Sequence, residues 1–124
     1  MHTMQFSVLI VDDDPAFRAL ASRIVAGLGF AVAGEAGTVA AAVAAAASLQ
    51  PEAALVDFGL PDGDGVTLAA ELTALPWRPR VVLTSSDPDS VSSAMAEQAG
   101  AVGFLAKSEL TDGPLRRMLT GEGR

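Results

Sequence analysis

The sequence contains no cysteine, which excludes disulfides and thiolate-held metals. Positive charge is scarce. Eight Lys and Arg residues stand against fifteen Asp and Glu, for a net charge of -7, and the one lysine is Lys107. Phosphate backbones are gripped by basic side chains, so this balance argues against direct nucleic-acid binding by the segment. The one histidine, His2, lies in the leading segment, away from any motif. No apolar run approaches the roughly 20 residues needed to cross a bilayer. The opening MHTMQFS lacks a basic stretch followed by a long apolar one, so no secretory signal is read and no membrane association is expected. The expected location is the cytoplasm.

What is present is the composition of a folded domain: 124 residues, 50% apolar and 19% charged. That is enough chain for one core. Residues 1–124 are therefore read as one domain, with 1–6 as a leading tail and 121–124 as a frayed tail or the start of a linker.

Five short apolar runs alternate with segments of helical character. Val8–Val11 is apolar on both faces, as a strand covered on both sides should be. From Pro15 to Leu28, apolar residues recur at three and four, the spacing of an amphipathic helix. Asp14 is its expected N-cap, with Pro15 in the first turn. FAVAGEAG is a weaker strand, interrupted by Gly34. Thr38 is expected to cap an alanine-rich helix ending near Gln50. AALVDF is the third strand, GLPDGDG a turn-rich loop, and Val66–Leu75 a helix. RVVLTSS is the fourth strand. A helix over Pro88–Ala99, capped by Asp87 or Ser86, leads to the fifth strand, AVGFLAK, and a short helix begins at Leu115. Apolar strands joined by helices require crossover connections, hence a parallel sheet with helices on both faces.

In such a sheet every strand ends on one edge, where ligands bind. Asp12 and Asp13 end the first strand, Asp57 the third, Thr84 and Ser85 the fourth, and Lys107 the fifth. Crowded carboxylates repel, which calls for a proton or a cation. A hard divalent ion with oxygen ligands answers that need, and Mg²⁺ suits an open site better than Ca²⁺. A lone lysine opposite supplies a positive point charge for an oxyanion, and a hydroxyl beside it one further hydrogen bond. Together they describe a carboxylate prepared to accept a phosphoryl group. The other acids have simpler readings: Asp14 as a cap, Asp62 and Asp64 as turn residues, Asp87 and Asp89 at a helix start.

In this order and spacing, VLIVDDDP, ALVDFGLPDGDG, VVLTSS and GAVGFLAK resemble the receiver domain of two-component response regulators. The resemblance runs from Val8 to Lys107 and extends through the last helix. It implies a flavodoxin-like (βα)5 fold, a doubly wound parallel five-stranded sheet of order 2-1-3-4-5. It implies Asp57 as phosphoacceptor, Mg²⁺ held by Asp13, Asp57 and the main-chain carbonyl of Gly59, and Asp12 acting through metal-bound water. Lys107 would contact the phosphoryl group. Thr84 and Phe104 would change conformation together as the switch. The implied donor is a histidine kinase or phosphotransfer protein, and the implied target an output domain or effector, with a homodimer on phosphorylation. Pro61, Asp64 and Gly65 match the loop after the acceptor. One departure is plain: Ser108 stands where the family usually has a proline, often after a cis bond, so both trans and cis geometries are open at Lys107–Ser108.

Three other readings compete. A Mg²⁺-dependent phosphohydrolase with an aspartate nucleophile would want a second carboxylate two residues on, and Gly59 stands there. A flavin module would want a Gly/Ser/Thr-rich phosphate loop after the first strand, where DDDP stands. A degenerate receiver would fold and bind partners without being phosphorylated. None is expected to displace the switch, which is not itself an enzyme beyond assisting its own phosphorylation and dephosphorylation.

Overall fold

In a computed structural model of the chain, the residues described are 6–87, 93–111 and 113–121. Five strands form one sheet: β1 Ser7–Val11, β2 Ala31–Ala36, β3 Ala53–Asp57, β4 Arg80–Ser85 and β5 Gly103–Ala106. Every neighbouring pair is parallel, and the spatial order is β2-β1-β3-β4-β5. Five helices connect or follow them: α1 Pro15–Gly27, α2 Val39–Leu49, α3 Gly65–Thr73, α4 Ser93–Gln98 and α5 Pro114–Thr120. The expected fold and strand order are those observed.

The strands are apolar on both faces because both faces are covered. Leu9, Val11, Ala54, Val56, Val81 and Leu83 pack with Ala42 and Ala46 of α2, Leu68 and Leu72 of α3 and Ala96 of α4. The alternate residues Val8, Ile10, Ala53, Leu55, Val82 and Leu105 pack with Ala21 and Val25 of α1 and Leu115 and Leu119 of α5. Each fully buried Val or Leu contributes about 1.5–3 kcal/mol relative to exposure. The central strands therefore carry most of the fold's driving force.

Local chemistry places the helix starts. The Asp14 carboxylate accepts from Ala16 N at 3.0 Å, Thr38 Oγ1 from Ala41 N at 3.0 Å and Asp64 Oδ1 from Thr67 N at 2.7 Å, three side-chain N-caps. The alanine-rich α2 buries only Ala42 and Ala46, the thin packing its composition predicts. Trp77 lies in the connection after α3, and its indole N–H donates to the Pro51 carbonyl at 2.9 Å.

Several expectations are revised. Phe6, assigned to the leading tail, sets its ring 5.4 Å from that of Phe30 in a tilted contact and packs, partly buried, against the core. The strand interrupted by Gly34 survives through a register shift between Val8 and Leu9: Val8 pairs with Val32, and Leu9 with Gly34. A Cβ at Gly34 would stand 2.9 Å from the end of the exposed Leu49 side chain of α2, which would have to shift to admit it. The expected helix start at Pro88 and its acid Asp89 lie outside the described residues, as do His2 and 122–124. Among the described residues, no helix is long and apolar enough to cross a membrane.

Leu55→Ala removes a fully buried side chain and is expected to cost about 2–5 kcal/mol in urea unfolding. Leu20→Ala, at a position 46% exposed, is expected to stay within about 0.5 kcal/mol of wild type.

Candidate phosphoryl and metal site

The carboxyl edge of the sheet gathers the residues singled out in the sequence. Asp12 follows β1 directly and is fully buried. Asp13, next in the chain, is exposed. Asp57 is the last residue of β3 and 7% exposed. Carboxylate oxygens of these three lie within 4.8 Å of one another. Lys107 follows β5, and its Nζ lies 2.6 Å from Asp12 Oδ2 and 3.4 Å from Asp57 Oδ1. Two strands thus present acids and a third presents the cation.

Asp12 is held tightly. Its Oδ1 accepts from Asp14 N at 2.9 Å, its own N–H donates to the Ala36 carbonyl at 3.0 Å, and its carbonyl accepts from the Arg18 guanidinium at 2.6 Å. Oδ2 is buried and has no partner in hydrogen-bond geometry, although the Lys107 charge stands close. A buried carboxylate oxygen in that condition, beside two further carboxylates, suits a hard cation. The cluster could hold a metal ion.

The charges shift one another. Burial lifts the Asp57 carboxyl from 3.8 to about 6, and the Asp12 charge adds to the rise while Lys107 opposes it. Burial of the Lys107 ammonium works to lower its pKa, but the close Asp12 and Asp57 carboxylates outweigh it, so the group sits above its ordinary value. The site thus holds more negative charge than Lys107 alone neutralises.

Thr84 is buried and stands opposite Asp57 in the β3–β4 ladder. Its carbonyl accepts from Phe58 N at 2.8 Å. Ser85 follows it, also buried, with its hydroxyl on the Asp87 carbonyl at 2.9 Å. Phe104 lies one ladder position inward on β5, opposite Leu83, half-buried and packed against the core on the α3–α4 side. Gly59 begins a two-residue antiparallel ribbon: Gly59 pairs with Asp64, and Leu60 with Gly63. Neither Gly59 nor Gly63 adopts a positive φ. Gly65 is the constrained position. A Cβ there would stand 2.2 Å from the Asp57 carbonyl oxygen.

Some contributors escaped the sequence reading. The Lys107 ammonium lies 4.3 Å from the centroid of the Phe17 ring, a cation–π contact from a residue read only as α1 core. The Lys107–Ser108 bond is trans and opens a short 3-10 turn, Lys107–Glu109. Glu109 reaches back so that its carboxylate accepts from Ala106 N at 2.9 Å. The spacing of three from Ala106 to Glu109 was the available signal, since capping glutamates act over that distance. Asp62 lies in the turn, as read, and its carboxylate also accepts from Val39 N at 2.7 Å and Ala40 N at 3.1 Å, at the start of α2.

Residues 8–119 match the sequence model of the response regulator receiver domain. The chain belongs to that family. Among receiver-containing relatives, it is 36% identical to the KDP operon transcriptional regulatory protein KdpE of Escherichia coli over 101 residues, 82% of this chain and 44% of KdpE. It is 32% identical to the DNA-binding response regulator MtrA of Mycolicibacterium smegmatis over 107 residues, 86% of this chain and 46% of MtrA. Among solved structures, the signal receiver domain of a modulated diguanylate cyclase from Desulfovibrio desulfuricans superposes with a TM-score of 0.80 at 32% identity, covering 93% of this chain and 90% of that one. The chain spans about half or less of the curated relatives it matches. As a receiver domain it is built as a phosphorylation-responsive switch of two-component signalling, and its acid cluster occupies the edge where such a switch would be set.

With its pKa raised from 3.8 to about 6, Asp57 gives the folded protein an extra proton between those values. Without metal, the Asp57 contribution to stability should therefore be greatest below that window and fall as pH rises through it. In EDTA at neutral pH, Asp57→Asn is expected to raise the melting temperature by on the order of 5 °C. Calorimetry across the acid range should show that advantage disappearing below pH 4.

Proposed function

We propose that Asp57 accepts a phosphoryl group from a phosphohistidine on a histidine kinase or phosphotransfer protein. The observation that carries this reading is the Lys107 ammonium set between Asp12 and Asp57, at 2.6 and 3.4 Å, beside a three-carboxylate cluster. An Asp57 oxygen attacks phosphorus in line, the O–P bond forms as the N–P bond of the donor breaks, and the imidazole leaves. Lys107 neutralises an equatorial phosphoryl oxygen, and the Thr84 hydroxyl donates to another. Asp13, Asp57 and the Gly59 carbonyl would hold Mg²⁺, with Asp12 acting on it through water. When bound, the ion supplies positive charge that offsets the crowded carboxylates and the incoming phosphoryl group.

Once phosphorylated, Asp57 carries its negative charge further out, Thr84 moves toward it, and Phe104 turns deeper into the core. That change controls an output domain or effector and favours a homodimer. The chain acts as a single receiver domain in the cytoplasm, without direct contact to nucleic acid. The net charge of -7 supports that last point, and the regulatory names of the relatives support an output elsewhere. It turns over no external substrate. Gly59 occupies the place where an aspartate-based phosphohydrolase would want its acid, which counts against that alternative. The completeness of the residue set counts against a receiver used for binding alone.

Incubation with acetyl phosphate and Mg²⁺ is expected to add one phosphoryl group by intact mass, and Asp57→Asn to add none. Lys107→Ala should slow labelling by on the order of a hundredfold. Labelling that persists in Asp57→Asn would refute the assignment. Mg²⁺ is further expected to raise the melting temperature of the unphosphorylated protein through linkage, and Asp13→Ala to abolish the rise. A rise of wild-type size in Asp13→Ala would remove that residue from the metal set.

A further inference from the structure

Asp62 lies between the two arms of the short ribbon formed by Gly59–Leu60 and Gly63–Asp64. Its Oδ1 accepts from Val39 N at 2.7 Å and its Oδ2 from Ala40 N at 3.1 Å. Those are the first two residues of α2, more than twenty positions earlier in the chain. The helix has its own cap, since Thr38 Oγ1 accepts from Ala41 N. It has no acid in its first turn. Asp62 therefore brings, from a different element, the negative charge that a helix N-terminus favours. The two backbone hydrogen bonds hold its carboxyl below the usual 3.8. Gly63 lies beside the same residue, and a Cβ there would stand 3.1 Å from Val39 Cγ2.

The ribbon needs such an anchor. Two residue pairs do not make a stable hairpin in water. At its base Gly65 N donates to the Phe58 carbonyl at 2.7 Å. Its returning arm is tied to α3 by the Asp64 cap. On the outgoing arm Leu60 packs against the core, while Gly59 has no side chain to hold it. The Asp62 clasp adds a polar link between this loop and α2.

We propose that Asp62 is a positioning residue for the phosphoryl site: by clasping the N-terminus of α2 it fixes the ribbon that carries Gly59, and so sets the affinity of the acid cluster for its divalent cation. The inference rests on the reading of Asp57 and Gly59 given above. Mg²⁺ demands near-ideal octahedral geometry, so small displacements of a ligand-bearing backbone weaken binding. Supports behind metal ligands typically change affinity by about 10–100-fold when removed. The clasp itself is exposed to solvent, so it contributes little to global stability, and its effect falls on the loop.

The test compares Asp62→Ala with Thr38→Ala. Each removes one side-chain cap from α2, but only the first releases the loop. Asp62→Ala is expected to weaken Mg²⁺ binding about tenfold by titration calorimetry. Amide hydrogen exchange should quicken across residues 59–64. Labelling by acetyl phosphate should need more Mg²⁺ yet reach the wild-type rate at saturation. Asp62→Asn keeps one acceptor for Val39 N and should fall between. Thr38→Ala should leave Mg²⁺ affinity and exchange over 59–64 as in wild type. The proposal is overturned if Asp62→Ala binds Mg²⁺ as wild type does, or if Thr38→Ala weakens binding equally. Failure of the underlying phosphoryl reading looks different: wild-type protein itself would show no Mg²⁺-dependent adduct at Asp57, and the proposal would fall with it.

Discussion

The site depends on one contact, the ion pair between Lys107 and the fully buried Asp12. A carboxylate without solvent is costly unless charge and hydrogen bonds compensate it. Asp12 receives both, from the ammonium at the end of β5 and from the Asp14 amide that starts α1. The pair joins strands that are not neighbours, because β3 and β4 lie between β1 and β5. Lys107 therefore reaches across the carboxyl edge and passes beside Asp57, the last residue of β3. The contact that makes Asp12 tolerable is the same one that places a positive charge beside Asp57.

That arrangement also explains how the chain manages without the proline that usually follows the family's lysine. Ser108 leaves a trans bond and a short 3-10 turn. Glu109 closes the turn on the Ala106 amide, the Lys107 charge rests on the Phe17 ring, and Leu110 anchors the far side in the core. Three separate side chains thus fix a backbone that lacks a ring to stiffen it. The reach of Lys107 to Asp57 is kept by a different local solution.

Much of this was legible in the sequence, for identifiable reasons. β1 and β3 are unbroken apolar runs because each is covered on two faces, so their ends, and with them Asp12, Asp13 and Asp57, could be placed from hydrophobicity alone. Lys107 and Thr84 followed by the same logic. The local caps Asp14, Thr38 and Asp64 were readable or consistent with turn chemistry because their partners lie two or three residues away. Legibility ended where a partner is distant in sequence. Nothing near Asp62 announces Val39, and nothing near Phe17 announces Lys107. Phe6 looked like tail because one aromatic before a strand carries no periodicity, and its partner Phe30 follows a different helix. The shift between Val8 and Leu9 depends on how β2 meets β1, which composition does not encode.

Gly65 couples the end of β3 to the beginning of α3 with no spare room between them. Its α-carbon rests so near the Asp57 carbonyl that even a methyl group would overlap it, and its amide is bonded to the Phe58 carbonyl. The end of β3 and the start of α3 are thus packed directly against each other at this junction. A side chain at position 65 would force the Asp57 main chain and α3 apart, so the close approach depends on glycine there.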